Sequence, residues 1–103
     1  MTPEDYRATS KTIPKQPGVY RFIDGDDNII YVGKAKVLKN RLASYFTGIK
    51  NQTNKTRTMV KHARRFEYTI VDTETDALLL ENTLIKKYQP RYNVMLKDGK
   101  GYS

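Results

Sequence analysis

The 103-residue chain has no cysteine, no tryptophan and a single histidine, His62. Without cysteine it has no disulfide framework, no thiolate zinc site and no thiol nucleophile. One imidazole does not make a His-rich metal centre. No apolar run approaches the ~20 residues of a membrane-spanning helix, and the opening "MTPEDYRATS" lacks the basic-then-apolar order of a secretory leader. A soluble, intracellular domain is expected. Acids are missing in a more telling way: residues 34–65 carry ten Lys or Arg and no Asp or Glu. A solvated surface usually mixes signs, so a one-signed stretch within a chain of net charge +8 points to a polyanionic partner.

A domain of this size buries about 65% of its unfolded surface, enough for one core. Pro17-Gly18 ends an N-terminal segment, after which "GVYRFID" and "IIYVG" read as strands joined across the turn-rich "DGDDN" (24–28). Gly33 is expected to break the second strand. Leu38, Leu42 and Tyr45/Phe46 then recur at helical spacing, with Gly48 as a stop. A second helix is expected over 51–65 on the apolar stripe Met59, Val60 and Ala63, and "FEYTIVD" (66–72) reads as a third strand. Thr73 with Asp76 resembles a capping box opening a helix that Pro90 closes, and "YNVML" suits a short edge strand. The result is an α/β fold: a small single domain with a central, mostly antiparallel three-stranded sheet flanked by helices.

Glu81 falls in the last long helix among leucines, on a face shared with Ala77, Leu78, Leu84 and Ile85. An unpaired carboxylate on an apolar face is costly, so it needs either a basic partner or a divalent cation. Eight tyrosines are a skewed aromatic set. Tyr20 and Tyr31 fall on the two hairpin strands, and Arg41 and Tyr45 stand one helical turn apart. Each feature has an ordinary structural explanation in strand packing or a surface cation–π pair.

Taken together they are specific. "GVY" at 18–20, "YVG" at 31–33, then Lys34, Arg41, Tyr45, Glu81 and Asn93 resemble the GIY-YIG nuclease family in order and spacing. "TDALLLEN", "QPRYNV" and the closing "GKGY" extend the resemblance to the N-terminal catalytic domain of the UvrC excinucleases, over roughly residues 13 to 102. Valine replaces isoleucine in both halves of the signature, which conserves shape and apolarity.

The resemblance implies that residues 1–103 are a GIY-YIG endonuclease domain, the N-terminal fragment of a longer protein. It would cut one strand of double-stranded DNA 3′ to a lesion in nucleotide excision repair. It implies Tyr31 as general base, Glu81 as sole protein ligand of one Mg²⁺ or Mn²⁺, and Arg41 and Tyr45 on the scissile phosphate. Lys34 and Tyr20 would stand near Tyr31, and Asn93 would support the site. UvrB, and UvrA indirectly, would be partners of the parent protein; the domain would be monomeric, cytoplasmic and without a membrane role. Lys36, Lys39, Lys55, Arg57, Lys61 and Arg64 are expected on the DNA backbone. His62, within "KHARR", fits a backbone contact or a solvated face better than catalysis. A free phenol has a pKa of about 10, and Lys34 and Arg41 are expected to lower that of Tyr31. The rival readings are a structure-selective or homing GIY-YIG nuclease and a catalytically silent DNA-binding module.

Overall fold

The computed structural model describes residues 2–47 and 53–96. The elements run α1 (Pro3–Thr9), a 3₁₀ turn (Ser10–Thr12), β1 (Gly18–Ile23), β2 (Ile29–Ala35), α2 (Leu38–Thr47), α3 (Asn54–His62), β3 (Arg65–Ile70), α4 (Glu74–Tyr88) and α5 (Arg91–Leu96). The sheet order is β2-β1-β3, antiparallel throughout. The fold class expected from the sequence is therefore observed. The Gly48 stop falls outside the described residues.

Period-two alternation along β1 and β2 gives the sheet two unlike faces. One carries Tyr20 and Phe22 and packs against Leu38, Leu42, Tyr45 and Phe46 of α2, Met59 and Val60 of α3, Tyr6 of α1 and Tyr92 of α5. The other carries Val19 and Val32, and α4 covers it with Ala77 and Ile85. Helix α4 starts where the sequence places it, with the Thr73 hydroxyl accepting from the Asp76 backbone N–H at 3.1 Å. Its apolar stripe is narrower than expected: Leu78 is 44% exposed, off the buried face to which periodicity assigned it.

Three readings need correction. Gly33 does not end β2; the strand continues to Ala35 with Gly33 opposite Tyr20. Glycine is required there because a Cβ would run into the Tyr20 ring and hydroxyl. The N-terminal segment is not merely a lead-in but contains α1. Thr2 and Asp5 cap each other, Asp5 N–H to Thr2 Oγ1 at 3.2 Å and Thr2 N–H to Asp5 Oδ2 at 3.0 Å. Tyr6 then stacks on Phe46 with centroids 4.6 Å apart.

The third correction concerns "YNVML", which is helical, not an edge strand. Gln89 caps α4 in the left-handed region (φ 47°), and the Pro90 carbonyl then accepts from Asn93 and Val94 to start α5. At Val32 the β2 edge is met instead by a side chain. Asn93 Oδ1 accepts from Val32 N–H at 2.7 Å and its Nδ2 donates to the Val32 carbonyl at 2.8 Å. One carboxamide thus makes the two bonds that a neighbouring strand would have made.

Candidate active site

Two phenols from the hairpin and two side chains of α2 converge on the aromatic face. Tyr20 is fully buried and Tyr31 partly so, with ring centroids 6.2 Å apart. Arg41 and Tyr45, four residues apart, place a guanidinium 5.7 Å from the Tyr45 ring centroid. The Tyr20 and Tyr45 hydroxyl oxygens are 2.6 Å apart, and Arg41 Nε donates to the Tyr20 oxygen at 3.3 Å. Arginine can only donate, so a consistent order runs Arg41 to Tyr20, Tyr20 to Tyr45, and Tyr45 to Tyr31, whose ionisation a hydrogen bond from Tyr45 eases. The buried phenol of Tyr20 thereby fixes both α2 side chains.

The electrostatics depart from expectation. Tyr31 is pushed up to about 12, chiefly by burial and secondarily by Tyr20. The Tyr45 hydrogen bond and the Arg41 charge pull it down, but they do not outweigh desolvation, and Glu81 raises it further. The lowering expected from Arg41 is therefore present but outweighed, because the phenol is largely desolvated where it packs against the core. Burial also drives Tyr45 far above the ordinary phenol range. The hydrogen bond to Tyr20 holds Arg41 still more firmly in its charged form.

Glu81 stands on α4, half-buried, between Ala77 one turn before and Ile85 one turn after. It belongs to the helix on the opposite face of the sheet, yet its charge reaches Tyr31, because β2 is an edge strand. Among the described residues no group of three or more His, Asp or Glu gathers to hold a metal. A lone carboxylate suits a cation such as Mg²⁺ that keeps most of its own waters.

Beside Arg41 opens a cleft of about 620 Å³, lined by Lys34, Lys36, Asn40, Arg41, Ser44 and Glu74 among others. Asn40, Ser44 and Glu74 were not legible as site residues. Asn40 and Ser44, one turn apart, flank Arg41 on one surface of α2. Ser44 donates to the Arg41 carbonyl at 2.6 Å.

Among the described residues, the basic stretch does not line a single groove. Lys34 and Lys36 line this cleft, whereas Lys61 and Arg64 line a second groove of about 660 Å³ with Arg65, Phe66 and Tyr68. Lys55 and Arg57 are exposed on α3, Arg57 donating to Asn54 Oδ1 at 3.0 Å, and Lys39 lies on α2. Acids from elsewhere in the chain also intrude: Arg65 pairs with Glu67 and Asp27, and Lys36 with Glu74. His62 ends α3 with its ring stacked on Tyr92, centroids 6.5 Å apart.

This geometry has known counterparts. Residues 16–94 match the family model of the UvrC-like GIY-YIG domain. The chain belongs to that family. Within it, the chain is 53% identical over 102 residues to the UvrABC system protein C of Porphyromonas gingivalis, covering 99% of this chain and 17% of that protein. It is 54% identical over 99 residues to that of Cytophaga hutchinsonii, again covering 17% of the relative. The chain thus spans about a sixth of the length of these relatives. Among solved structures, the GIY-YIG N-terminal endonuclease domain of UvrC from Thermotoga maritima, bound to its catalytic magnesium, superposes with a TM-score of 0.75. The two are 42% identical over 86% of this chain and 96% of that one. A tyrosine-to-phenylalanine variant of the same domain also holds its catalytic divalent cation. GIY-YIG domains of the UvrC type are endonuclease domains, and this chain is one of them.

Proposed function

We propose that the chain hydrolyses a DNA phosphodiester with the help of one divalent cation, as the incising N-terminal domain of a UvrC. The observation that carries this is the hydrogen-bonded cluster Arg41–Tyr20–Tyr45 beside Tyr31 on the edge strand β2, whose phenol feels the charge of Glu81 on α4. Arg41 binds the scissile phosphate and stabilises the charge it develops. Tyr20, with no exposed surface, is a positioning residue that aims Arg41 and Tyr45. Tyr45 contacts the phosphate at the inner wall, and Lys34 supplies positive charge at the mouth of the cleft. Asn93 holds Val32, and so fixes the strand that carries Tyr31.

Tyr31, once its own phenolic proton has passed to bulk solvent, accepts a proton from the attacking water. With a pKa of about 12, its phenolate is about 7 kcal/mol out of reach at neutral pH in the free protein. The residue is therefore a protonated phenol until substrate and cation arrive. Glu81 would hold Mg²⁺ or Mn²⁺, and the bound cation supplies positive charge that favours both the ionised phenol and the developing oxyanion. Lys36, Lys39, Lys55, Arg57, Lys61 and Arg64 contribute phosphate contacts along the duplex.

In the parent protein this domain makes the incision 3′ to a lesion, in the cytoplasm, on DNA loaded by UvrB after UvrA; the domain itself works as a monomer. The test is single-strand incision of a lesion-bearing, UvrB-loaded duplex by the parent protein. Mg²⁺- or Mn²⁺-dependent cutting on the 3′ side, lost on Arg41→Ala, is expected. Binding without metal-dependent cutting would leave only a silent DNA-binding module.

A further inference from the structure

The cleft beside Arg41 is not purely basic. Glu74 opens α4 and lines one wall, and its Oε1 lies 3.4 Å from Nζ of Lys36, in the turn between β2 and α2. The pair therefore ties the two walls together across the cleft. Both side chains are largely exposed, 82% for Lys36 and 61% for Glu74. An ion pair so placed contributes little to stability, and it exchanges readily for another anion. The consequence of the pair lies in what else Lys36 is free to bind.

We propose that Glu74 is a built-in competitor of the DNA backbone: it occupies Lys36 in the free cleft and yields it to a phosphate when DNA enters. The inference rests on the DNA reading given above. A lysine already neutralised by a carboxylate adds less to the counterion release that drives polyanion binding, and the carboxylate itself repels the incoming strand. Lys34 and Arg41 line the same cleft and give it a base level of attraction. Glu74 subtracts from that level, so a duplex that offers only a backbone is held weakly and let go.

The test is equilibrium binding of the chain to a short fluorescent duplex, without Mg²⁺ or Mn²⁺ so that nothing is cut, across about 50 to 200 mM salt. Glu74→Gln should tighten binding roughly three- to tenfold at about 0.1 M salt and steepen the log–log salt slope by about 0.9, the signature of one more phosphate contact. Asp76→Asn makes the same charge change on the same helical turn, outside the cleft lining, and should change affinity by less than about twofold. Adding Lys36→Ala to Glu74→Gln should erase the gain. The proposal is overturned if Glu74→Gln leaves affinity and slope unchanged, if Asp76→Asn matches it, or if the gain survives the loss of Lys36. A wild-type chain with no salt-dependent affinity for duplex at all would sink the DNA reading, and the competitor with it.

Discussion

The two faces of the sheet differ in chemistry more than in depth. The aromatic face is as buried as the aliphatic one, but several of its large side chains end in hydroxyls: Tyr20 bonds with Tyr45 and Arg41, Tyr6 donates to the Lys39 carbonyl, and the buried Tyr92 hydroxyl finds no partner among the described residues. The α4 face meets the sheet through Val19, Val32, Ala77 and Ile85, which carry no polar atom. Close packing holds that contact, and beyond it on the same face Arg21 donates to Thr69 and pairs with Glu67. On the aromatic face, packing must also satisfy a hydrogen-bond chain, and that demand pre-orients Arg41. The aliphatic face contributes to the site by where it sets α4, and with it Glu81, and by Lys34, which stands opposite Val19.

The strongest way to break the comparison is Glu81→Gln. It removes one charge from the aliphatic-side helix and should abolish Mg²⁺-dependent incision, at least ~10³-fold in single-turnover rate. The melting temperature should hold or rise, since a partly buried charge is removed. Residual cutting near the wild-type rate would show that the cation is held elsewhere. Ile85→Ala, one turn further along α4, should do the reverse. It should cost about 3 kcal/mol of stability by denaturant titration, while the rate per folded molecule stays within about threefold. A much larger rate loss would mean that α4 packing tunes the chemistry directly.

On the aromatic face, Tyr31→Phe keeps the ring and deletes the hydroxyl. Single-turnover incision should fall at least ~10²-fold, and the wild-type rise in rate from about pH 7 to about pH 9 should flatten. An active variant with an unchanged pH profile would end the tyrosine-base assignment. The same residue gives a stability signature. Its pKa is raised from the ordinary 10 to about 12, so the folded state favours the protonated phenol. That stabilisation is complete below pH 10 and disappears as pH climbs through 12, a loss of about 2–3 kcal/mol. Alkaline unfolding of the wild type should steepen in this window, and the Tyr31→Phe variant should show less of it. The smallest effect belongs to neither face: Gln89→Gly relieves a left-handed cap (φ 47°) and should stabilise by about 0.5–1 kcal/mol with no change in incision. A rate change there would link α5 placement to turnover.

Much of this was legible in the residues. The helical spacing of Leu38, Leu42, Tyr45 and Phe46 marks a stripe that is buried in full. The stripe of Met59, Val60 and Ala63 is also buried, and the Thr73 cap is where the pattern put it. Other parts were hidden for definite reasons. The seven residues of α1 are too short for periodicity to register, although the Thr2–Asp5 box with Pro3 at the first helical position was a usable signal. "YNVML" has strand composition, but its sequence says nothing of a waiting edge whose two polar groups one asparagine can satisfy. Leu78 fits an apolar face by spacing alone, yet of α4 only Ala77 and Ile85 are fully buried, with Leu80 and Leu84 partly so.

By itself the sequence determined which chemical groups exist and the local order in which they appear. It set the hairpin, the turn-spaced Arg41 and Tyr45, the carboxylate at 81 and the excess of cations over 34–65. These are properties of near neighbours, governed by steric limits and by period two or 3.6. Only the tertiary structure decided the electrostatic outcome. Burial raised Tyr31 where its cationic neighbours in sequence suggested lowering. An edge position let Glu81 act from the opposite face, and folding brought Glu74 to Lys36 across 38 residues of chain. A pKa or an ion pair depends on solvent exposure and on distance in space, and both are set only when segments remote in sequence pack together.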